Sequence, residues 1–103
     1  MKYAKDYIKQ LDERYKSTAD NGLWETWVTL YEAFDPDIND LIYAVIIKQT
    51  FDDGVDTYDK SKDGEIFNTL AEAQEYFSSK TEGMYRSPEE EFLAAFTAWA
   101  NLF

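Results

Sequence analysis

Residues 41–47, Leu-Ile-Tyr-Ala-Val-Ile-Ile, form the longest uninterrupted apolar run in the chain. Its brevity and its β-branched content favour a buried strand. Shortly after it, Asp53-Gly54 supplies a two-residue turn signal. Thr50 and Phe51 precede this turn, and Val55, Thr57 and Tyr58 follow it, which reads as a hairpin. Residues 23–34 fit two readings. Their Trp, Thr, Val and Tyr content suits a strand, whereas Leu23, Trp24, Trp27, Leu30, Tyr31 and Phe34 recur at helical spacing. With the hairpin as arbiter, the sequence predicts three antiparallel strands, at 24–34, 41–51 and 55–59, and leaves an all-α chain as the alternative.

The flanks read as helices. Tyr3, Tyr7, Ile8, Leu11 and Tyr15 fall at helical spacing among Lys, Asp, Glu and Gln, which predicts an amphipathic helix over 2–18. Asp20-Asn21-Gly22 then serves as its stop. Thr69-Leu-Ala-Glu72 is a capping box that opens a helix to about Lys80, with Leu70, Ala73 and Phe77 on one face. Ser87-Pro88-Glu89-Glu90 is a second, with Pro at the first helical position. The helix it opens, 88 to about 102, is expected to bury Phe92, Phe96, Trp99 and Phe103. The predicted fold is one α+β domain over 1–103: an N-terminal helix, a three-stranded antiparallel sheet and two C-terminal helices packed on one sheet face.

Several chemistries are excluded by what the chain lacks. It has no Cys and no His, so a thiolate nucleophile, a disulfide framework, a zinc ribbon and a histidine-based triad or metal site are all out. Its four glycines stand apart, so no Gly-rich phosphate cradle can form. No enzyme is expected, and no cofactor or metal. Asp59, Ser61, Asp63, Gly64 and Ile66 match part of a calcium loop, but Leu70 stands where the bidentate Glu belongs, so this segment reads as a polar turn entering the Thr69 cap. The charged N-terminus is unlike a signal peptide, and no run is long enough for a membrane helix. The expected compartment is the cytoplasm of a bacterial host.

Charge is the remaining signal. Ten basic residues against 21 acidic ones leave a net −11. Through Gly22 there are five basic and four acidic residues, a net of +1; the other 81 residues hold five and 17, a net of −12. Nine carboxylates lie between 35 and 65: Asp35, Asp37, Asp40, Asp52, Asp53, Asp56, Asp59, Asp63 and Glu65, against Lys48, Lys60 and Lys62. On the strand reading they fall near one rim of the sheet, and carboxylates two apart on a strand are about 7 Å from each other. That step suits a phosphate-binding groove on another protein. Tyr58 lies among them as a candidate interface anchor. Direct binding to nucleic acid or an anionic membrane is disfavoured by the same charge.

The stretch LIYAVIIKQTFDDGVDTY, the helix from Thr69 and the acidic SPEEEF entry to the last helix together resemble, in layout and charge, the small phage anti-CRISPR proteins that block RNA-guided nucleases by imitating DNA. The resemblance implies a non-enzymatic inhibitor, encoded by a phage or mobile element. Its acidic surface would cover the Arg and Lys side chains of a basic DNA-handling protein such as a CRISPR nuclease or restriction enzyme. The alternative is an interaction module that works through exposed aromatics and helix faces, without any link to nucleic acid.

Overall fold

Asn21 and Gly22 both take positive φ, 54° and 144°, and turn the chain back on itself between two long strands. The computed structural model describes residues 8–101. Four strands, β1 (Ile8–Ala19), β2 (Leu23–Asp35), β3 (Asp40–Asp52) and β4 (Thr57–Phe67), are followed by helices α1 (Leu70–Lys80) and α2 (Pro88–Ala100). The sheet is an antiparallel meander in the order β1-β2-β3-β4. Leu41–Ile47 lies in β3, an interior strand, and Val45 at its centre is fully buried.

Alternation along the strands sorts side chains onto two faces. On the first, Val28 and Leu30 of β2 stand beside Ile47 and Val45 of β3. This face receives α1, whose Ala73 and Phe77 complete a buried cluster with Val28, Leu30 and Val45. Both helices begin where the capping boxes put them. The Thr69 hydroxyl accepts from the Glu72 N–H at 3.3 Å and donates to its carboxylate at 2.8 Å. Ser87 Oγ accepts from the Glu90 N–H at 3.1 Å.

The predicted N-terminal helix over 2–18 is overturned. Residues 8–19 are a strand, paired along its length with β2, and residues 1–7 lie outside the described residues. Helical spacing misled here because a register shift between Gln10 and Asp12 breaks the strand alternation. Leu11 packs against the buried cluster, whereas Tyr15 lies beside Trp27 on the other face. Two apolar residues four apart thus serve opposite sides of a sheet. Asp20-Asn21-Gly22 is accordingly a hairpin turn and not a helix stop.

Three further expectations are corrected. The sheet has four strands, not three, which removes the all-α alternative as well. The last strand runs to Phe67, so the would-be calcium loop and polar turn at Asp59–Ile66 is extended chain. Residues two apart in such a strand stand about 7 Å from each other, too far to close around one ion. Finally, α2 buries none of its residues: Phe92, Phe96 and Trp99 are 69%, 53% and 56% exposed. Phe103 lies outside the described residues. The α2 capping signals were local and held; the inward orientation of its aromatics depended on a core that α1 already covers.

Candidate protein-interaction surface

The nine carboxylates and Tyr58 do not form one row. Asp35 ends β2 and is buried, its Oδ1 accepting from the Asp37 N–H at 2.9 Å. Asp40, at the start of β3, accepts from the Leu41 N–H at 2.7 Å, and together with exposed Asp37 these residues build the β2–β3 turn. Asp52, Asp53 and Asp56 stand at the other end of β3, about 40 Å away for a strand of 13 residues. There Asp52 accepts from the Gly54 N–H at 2.7 Å. Asp53 accepts from the N–H groups of Val55 at 2.8 Å and Asp56 at 2.9 Å. The bonds from Asp56 and then Val55 lower the Asp53 pKa from its ordinary value.

Asp59, Asp63 and Glu65 follow along β4, which is an edge strand. By register Asp59 pairs with Thr50 on one face, whereas Asp63 and Glu65 pair with Ile47 and Val45 on the other. Tyr58 pairs with Phe51, is 44% exposed and has the Lys60 ammonium 5.6 Å from its ring centre. Three groups result, at two opposite ends and along one edge. Among the described residues no salt bridge joins any of them to Lys or Arg; Arg14–Asp12 is the pair seen.

What sequence reasoning missed is the sheet face away from α1. It carries a shallow groove of about 730 Å³, walled by Ile8, Trp27, Tyr31, Ala33, Ala44 and Ile46. The Thr29 hydroxyl donates to Glu13 Oε2 at 2.7 Å inside it, and the exposed Lys48 and Lys62 stand at the β3–β4 side. A signal for this face was available. Both alternate sets of residues in β2 and β3 are largely apolar, which is the pattern of strands covered on both sides. Among the described residues α1 packs on one of these faces, and on the other Thr29, Ala33 and Ile42 are already buried.

At the β1 margin of this face sits Tyr15. Its ring centre lies 4.5 Å from that of Trp27, and its hydroxyl donates to Glu25 Oε2 at 2.5 Å. Tyr15 and Tyr85 exchange backbone hydrogen bonds of 2.6 and 2.8 Å on the outer edge of β1. Two residues on, Glu91 of α2 accepts from the Ser17 N–H at 2.8 Å and from the Ser17 hydroxyl. The outer edge of β1 is thereby blunted against strand addition.

Burial first, and then the hydrogen bond to the Glu25 carboxylate, raise the Tyr15 pKa above its ordinary value near 10. A raised pKa means the fold holds the neutral phenol. Its stabilisation is therefore complete below about pH 10, where the unfolded chain keeps the proton too, and is lost as pH climbs beyond that. Alkaline unfolding of Tyr15→Phe should show a shallower fall in stability above about pH 10 than the wild type. Identical alkaline limbs would remove the neutral, buried phenol.

No family model, curated protein or solved structure matches this chain. The four-stranded meander also departs from the helix, three strands, two helices order on which the anti-CRISPR resemblance was drawn. Among the described residues no helix is long and apolar enough to cross a membrane, and no three metal-ligating side chains gather.

Proposed function

We propose that this chain is a non-catalytic protein-binding module whose contact surface is the aromatic side of α2 together with the open sheet face. One observation carries the reading. A 13-residue helix of sequence PEEEFLAAFTAWA buries none of its residues, and Phe92, Leu93, Phe96 and Trp99 are each more than half exposed. Large contiguous apolar surface of this kind is rare on a monomer that has no partner. The groove on the sheet face away from α1 offers a second, separate apolar surface. The absence of Cys and His fits a role in binding and not in chemistry.

A second reading, the acidic inhibitor of a DNA-handling enzyme, is favoured by the Asp52–Asp56 turn. Three carboxylates project there at one tip without a basic partner among the described residues. Asp35, Asp37 and Asp40 no longer belong to such a surface, because they lie at the opposite end of the sheet.

Affinity capture of partners at low and high salt separates the two. The first reading expects binding that survives high salt, is lost in Phe92→Ser/Phe96→Ser, and persists in Asp52→Lys/Asp53→Lys/Asp56→Lys. The reverse pattern, salt-sensitive binding lost only in the charge-reversed chain, would transfer the function to the acidic tip.

A further inference from the structure

A sheet has two edges, each a row of backbone N–H and C=O groups, and this fold treats them differently. Along β1 the outward groups are taken up: those of Tyr15 by Tyr85, the Ser17 N–H by Glu91, the Glu13 N–H by Asp12 and the Glu13 carbonyl by the Arg14 guanidinium. Along β4 they are open. We infer that this edge, on the far side of the sheet from α2, binds an extended basic segment of another protein as a fifth strand.

Alternation in the ladder identifies the open groups. Tyr15 turns outward to Tyr85, so Trp27 opposite it bonds to Lys48 of β3. The next residue of β3, Ile47, turns the other way and bonds to Asp63. Lys62, Gly64 and Ile66 therefore point their N–H and C=O groups away from the sheet, and all of 62–66 is exposed. The Gly64 N–H fits this direction, since it donates to the Asp63 carboxylate at 2.8 Å. An incoming carbonyl oxygen replaces that acceptor one for one. The open stretch ends at Lys60, the extra residue where the register shifts between Gln49 and Thr50.

Side chains along β4 select the occupant. Asp63 and Glu65 lie on the α1 face beside Ile47 and Val45, and among the described residues neither joins a Lys or Arg in a salt bridge. Lys62, Gly64 and Ile66 lie on the other face. A Cβ on Gly64 would stand 2.8 Å from Ile46 Cδ1, so Ile46 reaches over the glycine toward the edge. A strand laid alongside thus meets carboxylates on one face, and Ile46 and Ile66 on the other. Lys or Arg alternating with apolar residues satisfies both, and a slip by one residue would set the cations against Lys62. A second copy of β4 does not match. Two-fold pairing centred on Asp63, Gly64 or Glu65 sets Asp63 against itself, Asp63 against Glu65, or Glu65 against itself, and like charges directly opposite destabilise a pair.

The probe is a peptide of about nine residues, alternating Lys and Val, titrated into the isotope-labelled full chain and followed by amide resonances and hydrogen exchange. The amides of Lys62, Gly64 and Ile66 should shift and gain protection, while those of the Asp52–Asp56 tip stay unchanged. The same peptide with methylated backbone nitrogens should bind about tenfold more weakly or worse, because it keeps the charges and loses the ladder. Ile66→Pro, which removes an outward N–H and leaves the bonds to β3, should weaken binding to a similar degree, and Asp63→Lys/Glu65→Lys should abolish it. Circular dichroism checks that each variant is folded; should Ile66→Pro fail to fold, the methylated peptide on the wild type tests the same bonds. Equal binding of the methylated peptide would mean charge attraction alone and would overturn the edge as the site, as would shifts centred on the acidic tip. No binding of the alternating peptide would overturn the basic segment as occupant. Phe92→Ser/Phe96→Ser should bind the peptide as the wild type does, so the α2 reading and this one stand or fall separately; loss of binding there would place the peptide on α2 and overturn the edge.

Discussion

Phe77→Ala is expected to be the most damaging single side-chain truncation in this chain, costing about 3–5 kcal/mol. Phe77 is 5% exposed and belongs to the buried cluster of Val28, Leu30, Val45 and Ala73. The Arg14 guanidinium lies 5.6 Å from its ring centre, so a strand side chain covers the phenyl group from outside. Two features make the loss hard to absorb. The cluster is small, and α1 is the one helix that packs against β2, β3 and β4. A cavity under Phe77 loosens the attachment of the whole helix. A chain of this length has a total stability of roughly 5–15 kcal/mol, so the variant should be near the limit of folding. Urea unfolding checks it, with Val55→Ala as the comparison. Val55 is 87% exposed and should change stability by no more than about 0.5 kcal/mol. Equal effects at the two positions would show that α1 does not hold the sheet as described.

Gly22→Ala is the second. Gly22 sits at φ +144°, a conformation that a side chain resists, and backbone strain of this kind costs about 1–3 kcal/mol. Contact adds to the strain. A Cβ at this position would lie 2.4 Å from the Phe51 ring and 2.6 Å from the Asp52 carbonyl oxygen. The ring, which packs on Trp24 at 4.6 Å between centres, can turn aside; the carbonyl belongs to β3 and cannot move without disturbing the ladder. Gly54 provides the internal control. It has φ +93° but nothing within 4 Å of a Cβ, so Gly54→Ala should carry the conformational cost alone. Thermal melts should place Gly22→Ala clearly below Gly54→Ala. If the two melt together, the close approach of the β1–β2 turn to β3 is not limiting.

These two positions also show how unevenly the fold could be read from residues. The helices α1 and α2 were legible because their signals are local: a hydroxyl and a Glu three residues apart satisfy backbone groups within one turn. The β3–β4 hairpin was legible from Asp53-Gly54 for the same reason, although its connection is four residues, 53–56, and not two, so that β4 starts at Thr57 instead of Val55 and runs eight residues further than expected. Strand β1 was not legible. Its residues at helical spacing are divided between two faces by a register shift, and only the pairing with β2 supplies the energy that makes the segment extended.

The acidic belt failed as a unit for a related reason. Sequence proximity between Asp35 and Glu65 hides a long strand between two turns, and a strand carries its ends apart. Several of these carboxylates also have local work as turn acceptors for backbone N–H groups, as Asp35, Asp52 and Asp53 do. Asp and Asn are common in turns on that account alone. The apolar alternate sets of β2 and β3 do say that both sheet faces want cover, but the outward aromatics of α2 went unseen because no window of sequence records which core another helix has already filled.

Residues alone determined the elements whose hydrogen bonds close within a few positions, namely the two capped helices and the hairpin at Asp53-Gly54, along with the net charge and the want of Cys and His. Only the tertiary structure decided that residues 8–19 are a strand, that the carboxylates part into three groups, and that α2 buries none of its residues. The division has one cause. Caps and turns are satisfied by neighbours along the chain, whereas a strand, a core and an exposed face are defined by partners far away in it, and pairing energy from those partners outweighs the weak preference of the segment itself.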